Sequence, residues 1–209
     1  MTARALRTSP VAVLLAGAVA LAGCGGNERQ DASEPEGDFK VEVAEASFPA
    51  KQSIAAQARM RIRVRNADDS TVPNVAVTVE TAPKQRGAAP SAFSQTVSDP
   101  RLADPNRPVW IVDDGPKGGT SAYANTWSLG SLRPNQTKLF EWKLTPVEPG
   151  TYRIAYRVAP GLSGKAKLAQ GSKASGSFNV TISDEPIPAR VGEDGEVIRG
   201  EEAGGGGSN

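Results

Sequence analysis

Apolar and polar side chains alternate with a period of two along most of the chain. Ala58, Met60, Ile62 and Val64 alternate with Arg59, Arg61, Arg63 and Arg65 without a break. Phe39, Val41 and Val43 alternate with Lys40 and Glu42. The pattern returns at Val75, Val77 and Val79, at Phe140, Trp142 and Leu144, at Tyr152, Ile154, Tyr156 and Val158, and at Phe178, Val180 and Ile182. Successive side chains of a strand point to opposite sides, so this alternation predicts strands with one buried face. Val109–Val112 and Tyr123–Leu129 read as two more, which makes about eight strands. Asn66–Pro73, Leu132–Gln136 and Pro149-Gly150 supply turn residues between them. No stretch sustains a helical period, and Ile54–Met60 reads as a turn into a strand. Short strands at this spacing predict an all-β fold, a single antiparallel β-sandwich of about 7–9 strands over residues 39–183.

The ends of the chain follow other rules. Val11–Ala22 is apolar and uncharged, and Arg4 and Arg7 precede it. A membrane span needs about 20 apolar residues, so this shorter run predicts the core of a secretory signal. It closes on Leu21, Ala22, Gly23 and Cys24, which resembles the lipobox of bacterial lipoproteins. That resemblance implies removal of a signal peptide over 1–23 and diacylation of the Cys24 thiol. It also implies a location on the extracytoplasmic face of the bacterial cell membrane, with the membrane itself as a partner. Two acyl chains give stable anchoring where one gives marginal binding. Residues 24–38 have almost no apolar side chain and predict a flexible acidic tether. Residues 184–209 carry Pro186 and Pro188, then an acidic Gly-rich run, and predict a disordered tail. The final GGGGSN looks like a linker scar and takes no part in the fold reading.

Composition removes several chemistries. The chain has no histidine and one cysteine. A Ser-His-Asp triad, a Cys-His pair, His-ligated zinc and an intrachain disulfide are all excluded. The formal charge of +1 conceals an asymmetry. The body over 39–183 holds 19 basic and 11 acidic residues, whereas residues 25–38 and 184–209 are net acidic. The acidic ends are therefore expected to fold back on the basic body and compete with external anions.

A second resemblance lies within the body. Trp127-Ser-Leu129-Gly130-Ser-Leu132-Arg-Pro134-Asn135, followed by Gly150-Thr-Tyr152, resembles bacterial Ig-like domains of the CARDB type. Arg61–Asn66 followed by Val72-Pro73-Asn74-Val75 is similar to another segment of those domains. This chain has Asn135 where the family often has glycine. The resemblance implies an extracytoplasmic structural or adhesion module, and it supplies no catalytic residues.

Candidate sites are few. Arg59, Arg61, Arg63 and Arg65 share one sheet face, and Lys40, Arg153 and Arg157 on other strands could extend it. Such a face suits an anionic lipid, a wall polymer or an acidic envelope protein. It equally suits a solvated outer surface that discourages edge pairing. Nucleic acid is not expected as a partner. Residues 81–108 form a connection long enough to be a recognition loop or an inserted segment. Asp68-Asp69 and Asp113-Asp114-Gly115 lack the spacing of a calcium loop and read as turns. Trp110, Trp127, Trp142, Tyr152 and Tyr156 could line a carbohydrate platform, but Trp142, Tyr152 and Tyr156 share faces with other apolar residues, and core packing is the reading. Ser163 with Lys165 and Ser172 with Lys173 lack a catalytic context. No metal, cofactor or enzyme activity is expected. The reading is a non-catalytic, membrane-anchored surface lipoprotein with a binding or structural module. One alternative is an accessory subunit of an extracytoplasmic transport or cell-wall complex. The other is an enzyme or solute receptor, which would need converging carboxylates or a second lobe.

Overall fold

A computed structural model describes residues 31–81, 92–93, 108–123 and 125–199, with strands and no α-helix among them. Four strands make one sheet: β2 (Val41–Ser47), β4 (Ala58–Asn66), β9 (Thr137–Pro146) and β6 (Trp110–Asp114), in that order. Six make the other. They are β3 (Lys51–Ser53), β12 (Ser175–Ser183), β10 (Gly150–Ala159), β5 (Ala76–Thr81), β8 (Thr126–Ser128) and β7 (Thr120–Tyr123). Two short pairs complete the set. β1 (Gly37–Phe39) runs parallel to β11 (Ala166–Leu168), and β13 (Ala189–Val191) forms a hairpin with β14 (Val197–Arg199).

The alternation in sequence becomes alternation in space. Along β4 every second residue from Ala58 to Asn66 is buried, and the arginines between them are exposed. Met60, Ile62 and Val64 meet Val77, Val79, Ile154 and Val180 in one core. Aromatic rings join the layers. Trp127 packs edge-on against Trp142 at 5.5 Å, and Trp110 against Tyr152 at 5.7 Å. The all-β sandwich is as expected, with three differences. The sheets are not purely antiparallel, because β3 joins β12 and β1 joins β11 in parallel. The expected strand over Tyr123–Leu129 is two strands, β7 and β8, forming a tight hairpin in which Asn125 has φ 57°. Structure also extends beyond 39–183, since residues 31–38 pack on the sandwich and residues 189–199 form the β13–β14 hairpin.

Turn chemistry explains two sequence features. Asn135 has φ 59°, in the left-handed region that glycine enters most easily and asparagine tolerates. Gly150 has φ 140°, and a side chain there would crowd the Tyr152 ring and hydroxyl. The glycine lets the Tyr152 hydroxyl donate to the Pro149 carbonyl at 3.0 Å, which ties the turn to the strand it starts. Burial, and then nearby Glu148, push the Tyr152 phenol up to about 12. Tyr152→Phe should cost about 1 kcal/mol at neutral pH, read by chemical denaturation. The unfolded phenol ionises near pH 10 while the folded one stays protonated. The wild-type advantage over the variant should therefore shrink as pH rises from 10 toward 12.

Candidate binding surface

The arginine row stands where the period-two pattern puts it, on the outer face of the four-stranded sheet. Its neighbours decide what it can do. Arg61 Nε donates to Glu141 Oε2 at 2.6 Å, and Arg63 pairs with Glu45 at 3.4 Å. Arg65 donates to Asn135 Oδ1 at 2.8 Å and lies opposite Glu42. Arg59 lies opposite Lys143, whose ammonium is 3.3 Å from Asp114. The Arg61 hydrogen bond holds the Glu141 carboxyl below its usual range. Acids on the flanking strands thus interleave with the bases, and the face is a charge ladder with no continuous positive field. Exposed pairs of this kind are screened by water and add little stability. Among the described residues Arg59 has no ion pair.

Arg153 and Arg157 do not join this row. They lie on β10, so their exposed side chains belong to the six-stranded sheet on the far side of the sandwich. Arg157 pairs there with Glu80 at 3.2 Å. The expected pooling of these cations fails because β4 and β10 fall into different sheets. Lys40 sits between β1 and β2, where its backbone N–H donates to Asp68 Oδ2 at 2.9 Å.

The other candidates resolve as packing or turns. Trp110 and Trp142 are buried, as are Tyr152 and Tyr156, and Trp127 packs against that core. Asp68 accepts from the N–H groups of Lys40 and Ser70, with the Lys40 bond foremost in holding its carboxyl below the ordinary range. Asp113 accepts from Thr145 at 2.7 Å and from Gln57 at 3.1 Å. Ser172 Oγ donates to the Ala169 carbonyl at 2.8 Å, and Ser163 Oγ accepts from the Lys165 N–H at 3.2 Å. Most of the connection over 81–108 lies outside the described residues, as do Leu21, Ala22, Gly23 and Cys24. Ala92 and Phe93 are described, and both are buried. Phe93 bridges to Trp110 and packs edge-on against Trp127 at 5.5 Å. The connection is therefore pinned to the core near its middle and is not one free loop.

The least expected feature is a strap made by the N-terminal acidic segment. Glu34 is buried, and its carboxylate accepts from the N–H groups of Leu162 and Ser163, each at 2.8 Å. Consecutive backbone N–H groups make an anion-binding concavity of this kind. Gly161 leaves the room, since a Cβ there would stand 2.7 Å from Glu34 Oε2. Asp31, also buried, accepts from the Tyr123 hydroxyl at 3.3 Å. Asp38 lies beside Lys167 in the β1–β11 pair. Ser33, Glu34 and Pro35 cover a polar cavity of about 450 Å³ whose other walls include Asn74, Thr120, Ser128 and Gly130. Ser128 Oγ donates to Asn74 Oδ1 within it. No sequence period marks the strap, because the Glu34 carboxylate meets backbone donors. Glycine at 161 is one trace of it in the sequence. Residues 31–38, expected as flexible tether, instead lie against the body.

No family model matches the chain, and no curated protein matches it in sequence. Several solved structures are similar at low identity. The crystal structure of the CARDB domain of the PF1109 protein from Pyrococcus furiosus, in complex with di-metal ions, is similar at 17% identity and a TM-score of 0.42. The match covers 71% of this chain and 94% of that one. The solution NMR structure of the same domain is similar at 16% identity and a TM-score of 0.43, covering 73% of this chain and 100% of that one. A cohesin module from a family 33 glycoside hydrolase of Clostridium perfringens is similar at 10% identity and a TM-score of 0.40, covering 71% and 98%. These likenesses assign no role to any residue here.

Phe93→Ala should cost about 3–5 kcal/mol if the connection is pinned as described. Denaturant unfolding measures this. A change below 1 kcal/mol would mean that Phe93 does not fill the core in solution.

Proposed function

We propose that this chain is a non-catalytic, membrane-anchored surface lipoprotein whose β-sandwich serves as a binding or structural module. The observation that carries the reading is the sequence Leu21-Ala22-Gly23-Cys24 at the end of an uncharged apolar run. The only cysteine of the chain stands at the lipid-accepting position. The absence of histidine supports a non-catalytic role, because it removes the commonest general base. A contact of the arginine face with an anionic lipid, a wall polymer or an envelope protein would centre on Arg59. The other three arginines already hold an acid or an amide.

The test is fractionation of cells making the full chain, with palmitate labelling. The wild type should stay in the membrane fraction and carry label. Cys24→Ala should abolish the label and release the protein to the medium. Unlabelled Cys24→Ala that remains membrane-bound would sink the anchor.

A further inference from the structure

The strap has a geometric consequence for an anchored chain. Strands β4, β5, β8, β9 and β10 share two ends. At one end lie Asn66, Ala76, Ser128, Thr137 and Ala159, where Asn66 N–H bonds to Gln136 and Asn74 N–H to Pro160. The strap lies over this end, between the cavity beside Ser128–Gly130 and the 161–163 backbone, and Asp31 bonds from there to Tyr123 at the far end of β7. At the opposite end lie Ala58, Pro146 and Gly150, and Ser183 leads from there toward the C-terminal hairpin.

Leash length then decides orientation. From Cys24 to Asp31 there are seven Cα steps, which reach at most about 25 Å whatever path they take. The ten-residue strands β9 and β10 span nine Cα steps, about 31 Å between the two ends. A body held at Asp31 therefore cannot turn its opposite end to the lipid. Without the strap the leash would run from Cys24 to Phe39, about 50 Å at full reach, and inversion would be allowed.

We infer that the Glu34 strap orients the sandwich on the membrane, with the strapped end facing the lipid headgroups and the opposite end presented outward. This rests on the anchoring at Cys24 proposed above. The outward end carries a groove lined by residues that include Gln52, Ala56, Gln57, Thr181 and Ile187, and this groove would be displayed away from the lipid.

Two measurements test it. The first uses soluble Cys24→Ala protein and needs no membrane. Glu34→Ala should speed hydrogen exchange at the Leu162 and Ser163 amides while core amides in β4 and β10 stay protected. Gly161→Val should do the same from the other side of the contact. Unchanged exchange in both variants overturns the strap, and the anchor reading is untouched. The second uses the lipidated full chain on phosphatidylcholine vesicles that carry a headgroup acceptor dye. A donor dye sits at Ser131→Cys, on the strapped end, or at Val147→Cys, on the opposite end. Transfer should be stronger from position 131. Adding Glu34→Ala should remove most of the difference while the protein still floats with the vesicles. Equal transfer from both positions in the wild type overturns the orientation. So does a difference that Glu34→Ala leaves unchanged. Failure of the wild type to float overturns the anchor, and the exchange measurement still reports on the strap alone.

Discussion

One face of β4 has to be buried, and the pleat of a strand leaves its other face no choice. Met60, Ile62 and Val64 carry no solvent exposure, so Arg59, Arg61, Arg63 and Arg65 must all point outward together. β4 lies between β2 and β9, and both must match its register. That register sets Phe140 and Trp142 inward beside Ile62 and Met60, and Glu141 outward beside Arg61. The second sheet then closes over the same side chains with Val77, Val79, Ile154 and Val180. Hydrophobic burial drives the assembly, and the outer charge ladder follows from it.

Polar groups at the strapped end solve a different problem. Turns there leave backbone groups inside the molecule, and each needs a partner. Asn66 is fully buried, and its amide donates to the Ser70 and Leu132 carbonyls while its oxygen accepts from the Asp68 N–H. One side chain thereby joins the turn after β4 to the turn before β9. Lys138 plays a similar part, donating to the Leu129 and Ser131 carbonyls, and burial pushes its ammonium below the usual lysine range. Glu34 does the converse, supplying an acceptor to orphan N–H groups of the 161–163 turn. The strapped end is thus held by side chain to backbone bonds, where the middle of the sandwich is held by apolar packing.

Legibility in the sequence tracked element length. β4, β9, β10 and β12 have nine or ten residues, enough for an alternating pattern to declare itself. β1, β3, β11, β13 and β14 have three residues each, too few for any period. The same limit hid the break inside Tyr123–Leu129, where Asn125 turns the chain between β7 and β8. Phe93 was an isolated aromatic in a polar, Pro-rich connection, and nothing nearby marks it as a core residue. Residues 31–38 looked like solvent-exposed tether because their composition is acidic, and composition does not show that a turn 128 residues away offers free N–H groups.

What the sequence alone determined is the set of strands long enough to alternate, the inward aromatic rows, and the absence of thiol and imidazole chemistry in the body. These are local properties, carried by neighbouring residues or by simple counts. Only the tertiary structure decided that Arg153 and Arg157 lie across the sandwich from the Arg59 row. It alone decided that acids on β2, β9 and β6 interleave with that row, and that Glu34 closes a strap over one end. Each of these depends on which distant strands become neighbours. That choice is made by the shared burial of side chains far apart in sequence, and it leaves no periodic trace in any one segment.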